Sequence, residues 1–234
     1  MSPHLVWNSY MTCYDALEKM SSYKQNIDDI SRNLPSVAGS HILDAGSGTG
    51  NLSILLSRRG AKVVSLDFSR SAIERHLQKE PNATVLEGSL EERLPFDDHS
   101  FDTVCCISVL FTLTQNGCRS ALREFHRVLR PGGSLITSVA APGKRNSALL
   151  MRHFKSIVTG SRPTKERISA LLDVPNILRV AYYNSLLQKL PDWKGYHRFS
   201  ESELRMYLAE ANFQNINIGR TYAGQFFLAS GHKE

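Results

Sequence analysis

The chain has 234 residues, with 41% hydrophobic residues and 28 Lys and Arg against 22 Asp and Glu, a formal charge of +6. That length holds one well-buried core with a small addition, and the sequence has neither a long low-complexity tract nor the run of about 18 apolar residues that a membrane span needs. Cys13, Cys105, Cys106 and Cys118 lack CxxC spacing, so buried free thiols in a reducing, cytoplasmic compartment are expected rather than a metal-binding or catalytic cysteine. The positive charge is uneven. Residues 141–198 carry 11 Lys and Arg against Glu166, Asp173 and Asp192, while the remainder has 17 basic and 19 acidic residues. A basic segment beside a near-neutral body can hold an anionic partner, and a solvated surface gives the same counts.

Taken in chain order, Tyr10, Tyr14, Leu17 and Met20 recur at helical spacing, and the pattern predicts one amphipathic helix over 10–31, punctuated by Pro35, Gly39 and Ser40. His41 to Asp44 is a short strand that runs into a glycine loop and then a helix with Leu52, Leu55 and Leu56 on its apolar side. Ala61 to Leu66 is a second strand ending at Asp67, and Ser69 to Lys79 is a helix behind a serine cap, broken at Pro81-Asn82. Thr84 to Leu86 is a third strand and Phe101 to Leu110 a fourth. A helix through Ala121, Leu122, Phe125, Val128 and Leu129 stops at Pro131-Gly132-Gly133, and Leu135 to Val139 is a fifth strand.

Strands this apolar, separated by helices, call for a parallel sheet covered on both faces. The alternation then lapses. Three helical stretches, near Ala148 to Ile157, Thr164 to Leu172 and Asn176 to Leu190, are divided by prolines and read as an inserted cap. Ser200 to Glu203 is a capping box, with Leu204, Tyr207 and Leu208 behind it. Phe213 to Ile218 and Thr221 to Ala229 are joined by a turn too tight for a crossover helix, so the last pair is antiparallel. The expected fold is α/β: a seven-stranded, mostly parallel sheet with an antiparallel last strand, helices on both faces and a helical cap. The chain divides into an N-terminal helical lid (1–35), a core (41–140), the cap (141–198) and a C-terminal helix with two strands (199–234).

The chemistry is written around Leu43-Asp44-Ala45-Gly46-Ser47-Gly48-Thr49-Gly50. Glycines let a ligand approach the backbone, and the helix that follows offers unpaired N–H groups. Asp67, 17 residues beyond Gly50 at the end of the second strand, can accept both hydroxyls of a ribose, or it caps a turn. The dinucleotide spacing G-x-G-x-x-G is missing, because Gly50 is followed by Asn51, Leu52 and Ser53, and so is the phosphate-gripping G-x-x-x-x-G-K-[ST]. A nicotinamide dehydrogenase is therefore the weaker nucleotide reading.

Four ordered landmarks carry a more specific resemblance: the loop from Asp44 to Gly50, the strand-ending Asp67, Leu94-Pro95-Phe96 leading to Ser100-Phe101-Asp102, and Arg127-Val128-Leu129-Arg130-Pro131-Gly132-Gly133. In these the chain resembles the class I, Rossmann-like S-adenosylmethionine-dependent methyltransferases of the small-molecule type. The resemblance covers residues 41–140 and returns at Phe199 to Phe213. It implies S-adenosyl-L-methionine as cofactor, with Gly46, Ser47, Gly48 and Gly50 beside its methionine part. Asp44 would orient the loop or meet the amino group through water, Asp67 would hold the ribose hydroxyls, and Phe68 would flank the adenine.

Where the family often has Gly-Asp after the third strand, this chain has Gly88-Ser89-Leu90. Ser89 and Leu90 then offer a hydroxyl and a backbone N–H to the adenine, with Glu87 or Glu91 as compensating acceptors. Ser108 would lie near the methionine moiety and Phe111 toward the transferred methyl. Tyr10 and Tyr14 belong to a helix that closes over the cofactor in similar enzymes, Tyr14-Asp15 matching a recurrent Tyr-Asp there, although an aromatic helix face also serves as core.

Methyl transfer from a sulfonium is an in-line displacement that depends on alignment and exclusion of water, with a base for phenol, alcohol or activated-carbon acceptors. His197, at the junction of cap and core, is the first candidate base and His153 the second. Tyr10, Phe111, Arg152, Tyr182, Tyr183 and Tyr196 are the expected substrate contacts, and the mixture of aromatic residues with Arg145, Arg152, Lys155 and Arg179 suits a small organic acceptor with an apolar body and an anionic group. No zinc-finger spacing, RNP-like strand or Asn/Asp-Pro-Pro-Tyr motif favours nucleic acid. RNA or protein methylation, or a partner subunit that binds the cofactor without transferring methyl, are the alternatives. The pattern fixes no oligomeric state.

Overall fold

A computed structural model describes residues 3–143, 151, 154–155, 159, 168–169, 171–187 and 198–234. Its strands are β1 (His41–Ala45), β2 (Lys62–Asp67), β3 (Thr84–Glu87), β4 (Phe101–Ile107), β5 (Leu129–Ala140), β6 (Gln214–Thr221) and β7 (Phe226–His232). They form one sheet in the order β3-β2-β1-β4-β5-β7-β6. Strands β1 to β5 pair in parallel, and β7 runs antiparallel to both β5 and β6. The connection is tight, as expected, but lies later than the break expected between Ile218 and Thr221: β6 continues to Thr221, and residues 222–225 turn the chain, with positive φ at Tyr222, Ala223 and Gly224.

The helices are α1 (Pro3–Tyr14), α2 (Ser21–Asn33), α3 (Asn51–Arg58), α4 (Arg70–Lys79), α5 (Gln115–Val128), α6 (Val174–Leu187) and α7 (Glu201–Glu210). Strand alternation divides the core between the two faces of the sheet. Leu43, Val104 and Leu135 lie in register and pack with Ala121, Leu122 and Phe125 of α5 and Leu204 and Leu208 of α7. Ile42, Cys105 and Ile136 point the other way, against Ile30 of α2 and Leu52 and Leu56 of α3. Burying a side chain such as Phe125 completely is worth about 1.5–3 kcal/mol. All four cysteines are free and buried, and burial pushes each thiol up.

Three further expectations need revision. The single helix over 10–31 is two helices, separated by a 3₁₀ turn at Asp15–Lys19 and by Met20, whose backbone is extended and whose side chain is buried. The fourth strand stops at Ile107, because Ser108 takes φ +63° and a 3₁₀ turn follows at Leu110–Thr112. Helix α5 ends at Val128, before Pro131. Leu129 already pairs with Phe101, Gly132 N–H donates to the Lys233 carbonyl at 2.8 Å, and Lys233 N–H returns to Gly133 at 2.9 Å. The Lys233 ammonium completes the junction by donating to the carbonyls of His126 (2.7 Å) and Leu129 (2.8 Å) at the end of α5.

Helices lie where expected elsewhere. Ser69 caps α4 through Ala72 N–H, and the Ser200–Glu203 capping box starts α7 with Leu204, Tyr207 and Leu208 buried behind it. Of the inserted segment, α6 corresponds to the third predicted stretch. Met151, Phe154, Lys155, Ile168, Ser169, Leu171 and Leu172 are helical, and the rest of the first two stretches lies outside the described residues. Helix α6 packs on α1: Asn184 Nδ2 donates to the Tyr10 hydroxyl (2.9 Å) and Arg179 to Thr12 Oγ1 (3.0 Å).

Candidate cofactor site

From β1 the chain moves outward to β2 and β3 and then returns to β4 on the other side, so the strand order reverses between β1 and β4. Loops leaving the carboxyl ends of those strands diverge there and leave a crevice. Asp44 and the glycine loop leave β1, Asp67 and Phe68 leave β2, Ser89 and Leu90 follow β3, and Ser108 follows β4. One edge of the sheet therefore gathers every cofactor residue read from the sequence except Tyr14, which comes from α1.

Hydrogen bonds fix the loop. Gly46 and Ser47 donate N–H to the Leu66 carbonyl (2.7 and 3.1 Å), Gly50 donates to the Ser47 carbonyl (3.0 Å), and Gly48 donates to Asp67 Oδ2 (2.8 Å). A side chain on Gly46 or Gly50 would collide with Val109 or with the His76 ring, so these two glycines serve close packing. Gly48 differs. It has φ +54° and nothing within 4 Å of the place a Cβ would occupy, which leaves its backbone open to a ligand.

Asp67 is 7% exposed, and its Oδ1 accepts a second backbone hydrogen bond, from Ser69 N–H at 2.8 Å. Burial pushes this carboxyl up, and the backbone donors at Ser69, Gly48 and Phe68 hold it back. A carboxylate has about four acceptor sites, so Asp67 retains acceptor capacity for a ribose hydroxyl beside these backbone donors. Asp44 is buried and accepts from Ser53 Oγ at 2.5 Å, with Ser65 Oγ donating in turn to Ser53 Oγ at 2.8 Å. Burial raises Asp44 to about 6, against the Ser53 hydrogen bond and with the nearby Asp67 charge adding to the rise. A buried carboxylate so placed attracts a cation. The Ser47 hydroxyl beside it is buried without a hydrogen-bond partner among the described residues.

Phe68 is 41% exposed, edge-on to Trp7 of α1 with 6.3 Å between ring centroids. Ser108, held in its left-handed conformation, donates its N–H to the Ser138 carbonyl (3.0 Å) and to the Ser138 hydroxyl (3.1 Å). A non-glycine residue in that region costs about 1–2 kcal/mol, and here the strain sits at the crevice. On the third strand's side the two compensating glutamates are otherwise engaged. Glu91 accepts from Thr114 N–H and Oγ1, both at 2.8 Å, at the start of α5, and Glu87 pairs with Arg70 at the surface. Ser89 Oγ accepts from Glu91 N–H, and Leu90 is buried.

Around the crevice aromatic rings form two series of tilted and edge-on contacts. Tyr10 touches Trp7, Tyr14 and Tyr183 at centroid distances of 5.4, 5.3 and 6.3 Å, and Phe111, Phe226, Tyr222 and Tyr23 follow one another at 5.8, 5.1 and 6.3 Å. Tyr182 is 62% exposed and leans on Tyr183. Arg152, His153, Tyr196 and His197 lie outside the described residues, as do Arg145 and the other end of the cap.

Sequence reasoning missed the polar contacts between the N-terminal segment and the loop. Asp15 accepts from Thr49 Oγ1 (2.5 Å), Lys79 (3.1 Å) and Arg75 (3.4 Å), Tyr23 OH accepts from Asn51 Nδ2 (3.1 Å), and Ser69 Oγ meets Asn8 (3.2 Å). The Tyr14-Asp15 pair is the signal the sequence offers for these contacts.

A methyltransferase domain model matches residues 43–137, the span from the end of β1 to the middle of β5. A Thermotoga maritima S-adenosylmethionine-dependent methyltransferase of known structure superposes with a TM-score of 0.67 at 18% identity, covering 98% of this chain and 99% of that one. Residues 43–137 match the methyltransferase domain family, and the fold around them is that of the class I S-adenosylmethionine-dependent methyltransferases. The demethylmenaquinone methyltransferase of Clavibacter sepedonicus is 29% identical over 86% of this chain and 77% of its own length. That of Staphylococcus epidermidis is 35% identical over 57% and 58%. Against an uncharacterized Synechocystis methyltransferase, at 39% identity, the chain spans about half of the relative, 47%.

The methyltransferase is thus an enzyme with S-adenosyl-L-methionine as cofactor, and the residues at its crevice fit that group. An open backbone at Gly48, a carboxylate with remaining acceptor capacity at Asp67, an anionic centre at Asp44 and an exposed ring at Phe68 match a cationic nucleoside in its polar and flat parts. Among the described residues no helix is long and apolar enough to cross a membrane.

Proposed function

We propose that this methyltransferase transfers the methyl group to a small organic acceptor with an apolar body and an anionic group. The observation that carries the reading is the pair of aromatic series around the crevice, drawn from the N-terminal segment, α6, the turn after β4 and the β6–β7 hairpin. Aromatic walls suit a flat or apolar molecule and the exclusion of water. Arg179 on α6 and the basic excess of residues 141–198 supply the positive charge. The Clavibacter and Staphylococcus relatives are named for demethylmenaquinone, which supports a small organic acceptor.

In this reading the cofactor supplies a sulfonium-activated methyl group. Asp67 holds the ribose hydroxyls, Gly48 lets the backbone approach, and Asp44 attracts the amino group. Phe68 and the Ser89-Leu90 segment border the adenine, Ser108 borders the methionine part, and Tyr14 closes from above. Tyr10, Phe111, Tyr183 and Tyr182, with Arg152 and Tyr196, hold the acceptor in line with the methyl. Alignment and dehydration supply most of the acceleration in such a displacement. His197, with His153 second, removes the acceptor proton where the acceptor is a phenol, alcohol or activated carbon.

The test is formation of S-adenosylhomocysteine with phenolic, quinol and carboxylic acceptors set against total RNA and a protein substrate mixture. Turnover confined to the small acids and phenols is expected. Turnover with RNA or protein alone, or none despite tight cofactor binding, overturns the reading. His197→Asn is expected to keep cofactor affinity and to lower kcat by at least about tenfold, within the range of general-base effects.

A further inference from the structure

Asp15 joins the N-terminal segment to the core through three side chains, Thr49, Arg75 and Lys79. It opens the 3₁₀ turn at Asp15–Lys19. One oxygen accepts from Thr49 Oγ1 of the glycine loop and from Lys79 of α4, and the other faces Arg75 of α4. Lys79 also donates to Asn51 Oδ1 and approaches Thr49 Oγ1 (3.5 Å) and Glu18 (3.8 Å). Thr49 and Asn51, the residues on either side of Gly50, are therefore both tied to this network.

The groups a cofactor needs lie beneath that segment. Thr49 is 1% exposed, Ser69 3% and Asp67 7%, while Trp7 of α1 leans over Phe68. Lifting the segment would uncover these groups, and it would separate Asp15 from Thr49, Lys79 and Arg75. The apolar side of the segment, including Tyr10, Met11 and Leu17, is packed in the core and resists lifting whatever Asp15 does. The charged contacts add a cost that depends on one carboxylate and on salt.

We propose that Asp15 is a positioning residue that latches the N-terminal segment onto the glycine loop, and so sets how slowly the cofactor leaves without touching the reacting atoms. The proposal rests on the reading that the crevice beneath the segment holds the cofactor.

The experiment measures S-adenosylhomocysteine dissociation by stopped-flow fluorescence and its affinity by calorimetry, on the full chain. For Asp15→Ala the dissociation rate and Kd should both rise about tenfold, the scale of one charge-assisted hydrogen bond, with the KM for cofactor rising in parallel and kcat at saturation held within about twofold. Raising salt should speed dissociation from the unsubstituted protein and do little in Asp15→Ala, and Asp15→Glu should recover part of the loss. Thr49→Val removes the same bond from the loop side and should speed dissociation in the same direction, which guards against a folding defect in one variant. An Asp15→Ala protein with unchanged dissociation rate, or one that loses kcat with Kd intact, overturns the latch. Failure of the unsubstituted protein to bind S-adenosylhomocysteine overturns both the latch and the site on which it rests.

Discussion

Cofactor affinity should depend on pH through Asp44. Burial lifts this carboxyl to about 6, so it is ionised at pH 7.5 and mostly protonated at pH 5. The cofactor carries a permanent sulfonium charge and an ammonium, and the ionised carboxylate attracts them where the protonated one does not. If only the ionised form binds, the apparent Kd is multiplied by one plus ten raised to the difference between 6 and the pH. That factor is about 1 at pH 7.5, about 2 at pH 6 and about 11 at pH 5. The sign is that of a raised carboxyl: affinity is full above 6 and lost as the pH falls through it.

His76 adds nothing in this window, because burial lowers it to about 4 and Lys79 pushes it the same way. Calorimetry from pH 7.5 to 5, in two buffers of different ionisation enthalpy, reads both the affinity and about half a proton released on binding at pH 6. Asp44→Asn should weaken binding about tenfold at pH 7.5 and abolish the slope. A flat profile in the unsubstituted protein refutes the argument. A slope retained in Asp44→Asn moves the titration to Asp67, which burial also raises.

Two further substitutions probe the loop. Asp67→Ala removes two backbone hydrogen bonds and both ribose acceptors, and cofactor Kd should rise about tenfold to a hundredfold in calorimetry, with the Asp67→Asn loss smaller. Gly50→Ala sets a side chain at φ +81° against the His76 ring, and urea unfolding should show a loss of about 2–4 kcal/mol, a near-normal midpoint being the contrary result.

Much of the sheet could be read from sequence because β1, β2 and β4 are apolar runs with punctuation at their ends, and because Gly46, Gly48, Gly50 and Asp67 sit at the carboxyl ends where such folds bind ligands. What escaped was decided elsewhere in the chain. No glycine or proline announces the break at Met20. Residues 129–133 read as the end of a helix and run as strand because Phe101 and Lys233 pair with them from 28 and 100 or more residues away. Glu91, close in sequence to Ser89 and so a natural adenine acceptor, is claimed by Thr114 across the fold. The packing of α1 on α6 joins residues 174 positions apart, and only the folded chain brings Tyr10 to Asn184.

Two carboxylates hold adjacent residues of the glycine loop from opposite sides. Asp67 takes the Gly48 N–H from the sheet, and Asp15 takes the Thr49 hydroxyl from the segment above. A loop with three glycines at positive φ is costly to order, and a ligand that had to order it would bind more weakly by that amount. Asp67 fixes the loop whether or not the segment is closed, because β2 carries it. Asp15 fixes it only in the closed state. Loss of Asp67 therefore acts on the empty site and its capacity for the ribose, and loss of Asp15 on the lifetime of the filled one. The first should appear in affinity with every nucleoside fragment, adenosine included, and the second in the dissociation rate of ligands large enough to need the segment to lift.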